Sequence, residues 1–406
     1  MRRRRGRQGS EVARLAAAGG SEVEAGAPYA ELWMGTHPSG PSQVRASGEP
    51  LREHVRRRPA ALGARVVERF GEDLPFLFKV LSVRTALSIQ AHPDKGRAER
   101  LHAERPHVYK DANHKPEMAL ALTDFEALSG FVESDVLARA LEETPELQAC
   151  VGEGAEGVAA RLRGGEAGAA EALREAFGKV MRAEPGLVER LTGALVARLG
   201  SQEASGRPLG AKDALVLRLH EQYPGDVGIF AAFFLNYIQL KPGEAIYLDA
   251  NEPHAYVAGD IVEAMATSDN VVRAGLTPKL RDTDVLCEML TYNTLKPEIL
   301  RGEEVRPGVK RYRPPFAEFQ VEAIEVAPGA SLDIPECPGA SILLVQRGGD
   351  SMASFTLGKA APPSEAPISE GGVFFAAANA AVTVSNGGDG PLKIFRCCPN
   401  DSVFEG

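Results

Sequence analysis

A chain of 406 residues exceeds one typical core and calls for two or three domains, and its net charge of −9 and pI near 5.6 argue against nucleic-acid binding despite the start Met1-Arg-Arg-Arg-Arg-Gly-Arg7. Five cysteines, an odd number with Cys397 and Cys398 adjacent, and no apolar stretch behind the basic start read as a reducing compartment without secretion. No run approaches the ~18 apolar residues of a membrane span, and the start has neither the length nor the Ser-rich character of an organellar transit peptide, so a soluble cytoplasmic protein is expected.

In chain order, the segment from Phe70 to Phe131 consists of short apolar runs broken by Pro, Gly and Asn, which predicts strands. Within Phe76-Leu-Phe-Lys-Val-Leu81, Lys79 is either a functional cation or a lysine snorkelling to a rim. Ser88-Ile-Gln-Ala-His-Pro93 and His114-Lys-Pro-Glu-Met118 each put polar side chains two residues apart. On a strand that spacing aims Gln90 with His92, and Lys115 with Glu117, at one face. Composition then shifts to Ala, Leu, Glu and Arg. Leu173, Phe177, Val180 and Met181 fall at helical spacing, and Leu187, Leu191 and Leu195 repeat it before Gly200, which predicts a helical insertion. Gly152-Glu-Gly-Ala-Glu-Gly157 and Gly164-Gly165 lack the strand-to-helix context of a phosphate loop and read as turns. From Phe230 to Leu286 the strand pattern returns, and Asp249-Ala-Asn-Glu-Pro-His-Ala-Tyr256 places His254 and Tyr256 on a common face. After Leu290 the alternation Phe319, Val321, Ala323 and the run Ile342-Leu-Leu-Val345 predict a second barrel. It contains no histidine, so no second metal site is expected there.

The expected fold is mainly β with a helical insertion: a double cupin of two jelly-roll β-barrels. The expected division is a discontinuous catalytic barrel (1–131 with 221–290), a helical insertion (132–220) and a C-terminal cupin-like barrel (291–406). Strands of one barrel can bring Glu117 and His254 together across the insertion. Two imidazoles, a carboxylate and a carboxamide suit zinc, and also manganese or iron(II), with no cysteine to make a closed structural site. A dication so held keeps a formal charge of about +1 and remains a Lewis acid for a carbonyl or alkoxide oxygen. His37, His54, His102, His107 and His220 have no comparable partners in sequence and read as structural or solvent-facing.

The run from Tyr256 through Asp260, Glu263, Asp269, Asn270 and Arg273 to Lys279 resembles the signature of the type I phosphomannose isomerases. Gln90 with His92, the His-Lys-Pro-Glu-Met run and Pro28-Tyr-Ala-Glu-Leu-Trp-Met-Gly-Thr-His-Pro38 are similar to that family in the same order. The resemblance implies that Gln90, His92, Glu117 and His254 hold one zinc per chain and that Arg273 is an active-site residue. It further implies interconversion of mannose 6-phosphate and fructose 6-phosphate through a cis-enediol, feeding GDP-mannose synthesis. Proton abstraction beside a carbonyl needs a base, an acid and an electrophile. Lys115, Glu263, Tyr256 and Asp269 match pocket residues of the family, with Lys115 and metal-bound water favoured for the proton work. Ser88, Lys79 and Lys279 match the phosphate contacts, and Glu31 a site for sugar hydroxyls. The chain is read as a monomer acting on a small phosphosugar.

One departure stands out. Members begin with an aromatic, glycine-rich strand bearing a Trp-Gly pair, whereas Met1 to Gly9 is arginine-rich and the only tryptophan is Trp33. A late start relative to the family, a sheet edge without its partner and a pocket lacking one aromatic residue are expected. Two other classes fit a metal-binding cupin: a non-catalytic sugar-phosphate binder, against which Lys115, Glu263 and Arg273 argue, and a metal-dependent dioxygenase, which the Gln ligand and cationic pocket disfavour.

Overall fold

The computed structural model describes residues 9–294, 296–349, 351–357 and 364–405. The chain combines antiparallel sheets with a block of helices inserted between two strands of the first sheet. Ser10 opens the first helix, α1 (Glu11–Ala18), by accepting a hydrogen bond from the Ala13 amide. Three further helices, α2 (Leu51–Arg56), α3 (Ala64–Phe70) and α4 (Lys95–Glu104), lie between the early strands.

Nine strands build the first sheet among the described residues: β1 (Glu31–Met34), β2 (Phe76–Val83), β3 (Ile89–Ala91), β4 (Glu117–Ala121), β5 (Phe125–Phe131), β6 (Leu235–Leu240), β7 (Ala245–Leu248), β8 (His254–Ala266) and β9 (Val272–Gly275). The long strand β8 is the hub. Its second half pairs with β2 on one side and β4 on the other, while its first half pairs with β5 and meets β3 at Gln90 opposite His254. The change of partners falls at Gly259, whose φ of +110° suits glycine alone; a Cβ there would lie 2.5 Å from the Asp124 carbonyl oxygen.

Every residue of β2 is buried, because both faces are covered. Phe76, Phe78 and Val80 pack outward with Val262, Ala264 and Met118 against Tyr312, Phe319, Ile342 and Leu344 of the C-terminal region. Leu77, Lys79 and Leu81 face inward to a cavity.

The insertion runs through α5 (Ser134–Glu143), α6 (Pro145–Val151), α7 (Ala155–Leu162), α8 (Glu166–Met181), α9 (Pro185–Ala204), α10 (Ala211–Gln222) and α11 (Gly228–Phe234). Its core holds Leu173, Phe177, Val180 and Met181, as the spacing predicts. The ring of Phe177 meets Phe131 of β5 and Phe234, the last residue of α11, edge-on at centroid distances of 5.3 and 5.5 Å, which ties α8 to the strand before the insertion and to the helix that leads out of it. Two sequence readings change. Helix α9 continues past Gly200, and its buried stripe is Val188, Thr192, Leu195 and Leu199, with Leu187 and Leu191 at its margin. Phe230-Ala-Ala-Phe-Phe234, at the start of the stretch read as strands, is helical and buried on all sides, and short runs apolar all round carry no period to separate the two.

Helix α12 (Thr283–Met289) also replaces an expected strand. Beyond it two antiparallel sheets face each other. One runs in the order Glu303–Arg306, Val309–Tyr312, Gln320–Val326, Leu392–Cys398, Ser341–Arg347, Val373–Ala376, and the other Ser331–Ile334, Ala380–Asn386, Ser351–Leu357, Ser364–Ile368. Val345, Ile324, Val384 and Ile394 share the core between them. Among the described residues no helix is long and apolar enough to cross a membrane.

Candidate active site

The inward face of the first sheet sets the site by register. Trp33 lies opposite Lys79, Lys79 opposite Glu263 and Glu263 opposite Ala119, while Glu117, two residues before Ala119, shares the face. Leu77, Leu81, Glu31 and Met265 complete this wall of a cavity of about 580 Å³. Ser88, Gln90, Lys115, Tyr256, Asp269, Arg273 and Lys279 also line it. All eleven candidates outside the two histidines therefore open onto one cavity, although the segments bearing them span Glu31 to Lys279.

His92 and His254 sit just behind its wall, 1% exposed, with ring centroids 5.0 Å apart. One ligand atom from each of His92, Glu117 and His254 lies within 4.8 Å of the others. His92 Nδ1 donates to the Asn270 carbonyl at 2.7 Å and His254 Nδ1 to the Glu252 carbonyl at 3.1 Å, which leaves both Nε2 lone pairs facing Glu117. The Glu117 oxygens lie 3.4 Å from each Nε2. Both Nε2 atoms and Glu117 Oε2 are buried without a hydrogen-bond partner among the described residues. Orphaned buried polar atoms are rare in folded proteins, and three converging on a point are the signature of a cation cradle. Gln90 stands beside it, flanked by His254 on β8 and Arg273 on β9.

Electrostatics favour ligand forms. Burial and the Lys115 cation push the His92 imidazole down from 6.5 to about 4, so it is neutral near pH 7. Burial alone would raise the Glu117 carboxyl, but Lys115, His92 and His254 outweigh it and hold it well below the usual range. Lys115 Nζ lies 3.0 Å from Glu117 Oε1. Tyr256, buried near the Glu263 and Glu117 carboxylates, is raised well above 10 and stays protonated near neutrality.

Lys79 is not at a rim. It is 6% exposed, ion-paired with Glu263 at 2.7 Å, and its Nζ lies 4.9 Å from the centroid of the Trp33 ring. Burial disfavours its charge, yet Glu263, Glu31 and Glu117 together raise its pKa. His37 also departs from expectation. It is 3% exposed, lines the cavity edge-on to Trp33, accepts the Ser39 amide at Nδ1 and turns Nε2 toward Asp269 Oδ1 at 3.6 Å. Its sequence context, a histidine before proline with no partner two residues away, gave no sign of this.

Two supports escaped the sequence reading. Asp111 accepts from Ser268 Oγ and the Asp269 amide, each at 2.8 Å, and from Asn270 Nδ2, so the turn between β8 and β9 presents Asp269 to the cavity and the Asn270 carbonyl to His92. Asn251, at φ +62°, donates its amide to the His92 carbonyl at 2.7 Å and its Nδ2 to Asp94 at 2.8 Å, binding the two histidine segments together. Neither residue has a signal in local spacing, because both act on backbone far away in sequence.

The catalytic domain of phosphomannose isomerase type I matches residues 2–134, and the helical insertion domain of phosphomannose isomerase type I matches residues 152–235. Mannose-6-phosphate isomerase 1 of Arabidopsis thaliana is 46% identical over 92% of this chain and 86% of its own length. The mannose-6-phosphate isomerase of Homo sapiens is 42% identical over 96% and 94%. A crystal structure of a point mutant of phosphomannose isomerase from Salmonella typhimurium superposes with a TM-score of 0.81 at 28% identity, covering 98% of both chains. A mannose 6-phosphate isomerase crystallised with zinc and yttrium gives 0.80 at the same identity and coverage. With this identity along nearly the whole length, and with the residues of the cavity in place, the chain belongs to the type I phosphomannose isomerase family.

Proposed function

We propose that the chain is a zinc-dependent aldose-ketose isomerase that interconverts D-mannose 6-phosphate and D-fructose 6-phosphate through a cis-enediol. The observation that carries the reading is the convergence of three orphaned ligand atoms, from His92, Glu117 and His254, beside a cavity that also presents four cationic side chains, in a member of this family. Those three residues with Gln90 would hold one zinc per chain. When bound, the metal supplies an electrophile for the sugar oxygens.

The reaction removes the proton from C2 of the aldose, moves the electron pair into a C1–C2 double bond, protonates O1, then returns a proton to C1 as O2 loses its own. Lys115, Glu263, Tyr256 and Asp269 are the groups at hand. Tyr256, held protonated, is a donor rather than the base. Lys115, whose Nζ lies 3.0 Å from Glu117 Oε1, is the favoured base and takes the C2 proton as the neutral amine, after giving up its own. Arg273, on β9 next to Gln90, places a permanent cation where negative charge develops on the enediolate. Ser88 and Lys279, with Lys79 deeper in, would take the phosphate, and Glu31, which accepts from Trp33 Nε1 at 2.7 Å, the sugar hydroxyls.

The facing antiparallel sheets support two jelly-roll barrels of the cupin type; of the expected division, 1–131 with 221–290, 132–220 and 291–406, the helical part is extended to Phe234, where α11 ends. A monomeric cytoplasmic enzyme supplying GDP-mannose synthesis completes the reading. The test is turnover of mannose 6-phosphate by the purified chain before chelation, after chelation and after added zinc. Turnover lost to the chelator and restored by zinc is expected. In the same assay Arg273→Ala should keep its zinc while turnover falls by about 100-fold or more. A folded, zinc-loaded wild-type chain that binds the sugar phosphate without turning it over would mark a non-catalytic binder.

A further inference from the structure

The turn Gln222-Tyr-Pro-Gly-Asp226, where α10 gives way to α11, belongs to the helical block, yet it holds the backbone of two segments lining the cavity, one leading into β3 and one leaving β9, which pair at Ile89 and Gly275. Gln222 Oε1 accepts the Ala86 amide at 2.9 Å, and the Tyr223 hydroxyl donates to the Ala86 carbonyl at 2.6 Å. Both hydrogen-bonding groups of Ala86, two residues before Ser88, are thereby fixed. Asp226 acts on the other side. Its Oδ1 accepts the amides of Gly228 and Leu276, both at 2.6 Å, and its Oδ2 that of Thr277 at 3.1 Å. Leu276 sits at φ +53°, a conformation costly for a leucine that the two amide bonds to Asp226 stabilise. Thr277 Oγ1 then accepts the Lys279 amide at 3.1 Å, so the order passes along to Lys279. Packing makes the joint close: a Cβ on Gly228 would lie 2.6 Å from the Leu276 nitrogen, and one on Gly275 2.6 Å from Gly228 Cα.

We infer that this turn positions the phosphate end of the substrate site, with Asp226 and Tyr223 as positioning residues that pre-set the Thr85–Ser88 and Leu276–Lys279 segments. The inference rests on the assignment of Ser88 and Lys279 to phosphate made above. Four hydrogen bonds from one turn reach two segments, one leading into β3 and one leaving β9, so ordering that would otherwise accompany binding is completed in folding. The insertion is then part of the substrate site and not only an ornament on the sheet.

Asp226→Asn and Tyr223→Phe test it, with inorganic phosphate as a competitive probe. Asp226→Asn should raise KM for mannose 6-phosphate and the inhibition constant of phosphate together, by about tenfold, with kcat within about twofold of wild type and zinc content unchanged. Tyr223→Phe, which deletes one hydroxyl, should show the same pattern at about threefold and stays informative if Asp226→Asn folds poorly. Unchanged phosphate inhibition, or a fall in kcat without a rise in KM, would overturn the inference. A wild-type chain that turns over mannose 6-phosphate but is not inhibited by phosphate would overturn the placement of the phosphate end, and no wild-type turnover the functional reading itself.

Discussion

The metal cradle depends on charge states that acid reverses. Free in an unfolded chain, the His92 imidazole titrates at its ordinary 6.5, whereas burial and Lys115 lower it to about 4 in the fold. Between those values the unfolded chain binds the extra proton, so stability from the neutral imidazole is complete above pH 6.5 and is lost as pH falls toward 4. Glu117, also depressed, acts in the same direction. The zinc-free protein should therefore melt at progressively lower temperature across that window, and a flat profile would contradict it. His254→Ala should lower zinc content measured on the purified protein, since it deletes one of the three converging atoms. The Lys79–Glu263 pair makes a separate prediction. Lys79→Met leaves a buried carboxylate near Glu31 and Glu117 with no cation opposite, and should cost about 3–5 kcal/mol in denaturant unfolding. At this scale the sequence was informative where two polar side chains stood two apart on a strand, as with His254 and Tyr256 on β8, whereas His92 falls just past β3 and Lys115 just before β4, so in those pairs only Gln90 and Glu117 lie on the strand that the spacing predicts. His37 and Asp226 gave no sign in sequence, since the groups they face, Asp269 for one and the Leu276 and Thr277 amides for the other, are distant along the chain.

Strands and helices divide along the same line. Apolar runs bounded by Pro and Gly marked β2, β4 and β8, strands covered on both faces, and the helical period marked α8, which buries one stripe. The short helix α11 was read as a strand, since an element buried on every side loses the amphipathic contrast that distinguishes a period of 3.6 from one of 2, whereas α12, which buries only Leu286, Cys287 and Met289, is too short for its period to stand out. Nor did spacing reveal that β8 belongs to two rows of partners. Gly259 is the point at which it changes, and Gly259→Ala would meet both an unfavourable φ and the Asp124 carbonyl. A loss of at least about 2 kcal/mol is expected, with β5 and β8 amides exchanging faster than those of the C-terminal sheets. Uniform exchange throughout the protein would show that the corner is not a local weak point.

At the scale of the molecule, the outward face of β2 is covered by the C-terminal region, which lacks histidine but supplies Tyr312, Phe319, Ile342 and Leu344 to the shared core. His114 reinforces the contact through Glu318, its Nε2 2.5 Å from the carboxylate. Zinc, binding only the assembled cradle, should raise the melting temperature of the whole chain in proportion to the logarithm of its free concentration; a shift confined to part of the unfolding transition would show that the parts melt separately. The helical insertion also sets a clock on the ribosome. Glu117 emerges about 140 residues ahead of His254, on the order of ten seconds of synthesis. Through that interval the nascent chain carries Gln90, His92 and Glu117 without His254, while the helices that follow Glu117, whose contacts are largely local, can condense. On the zinc site proposed above, metal capture would be a late event of biogenesis, and chains made without zinc would have a folded helical insertion while His254 on β8 and Glu117 on β4 lack their common ion.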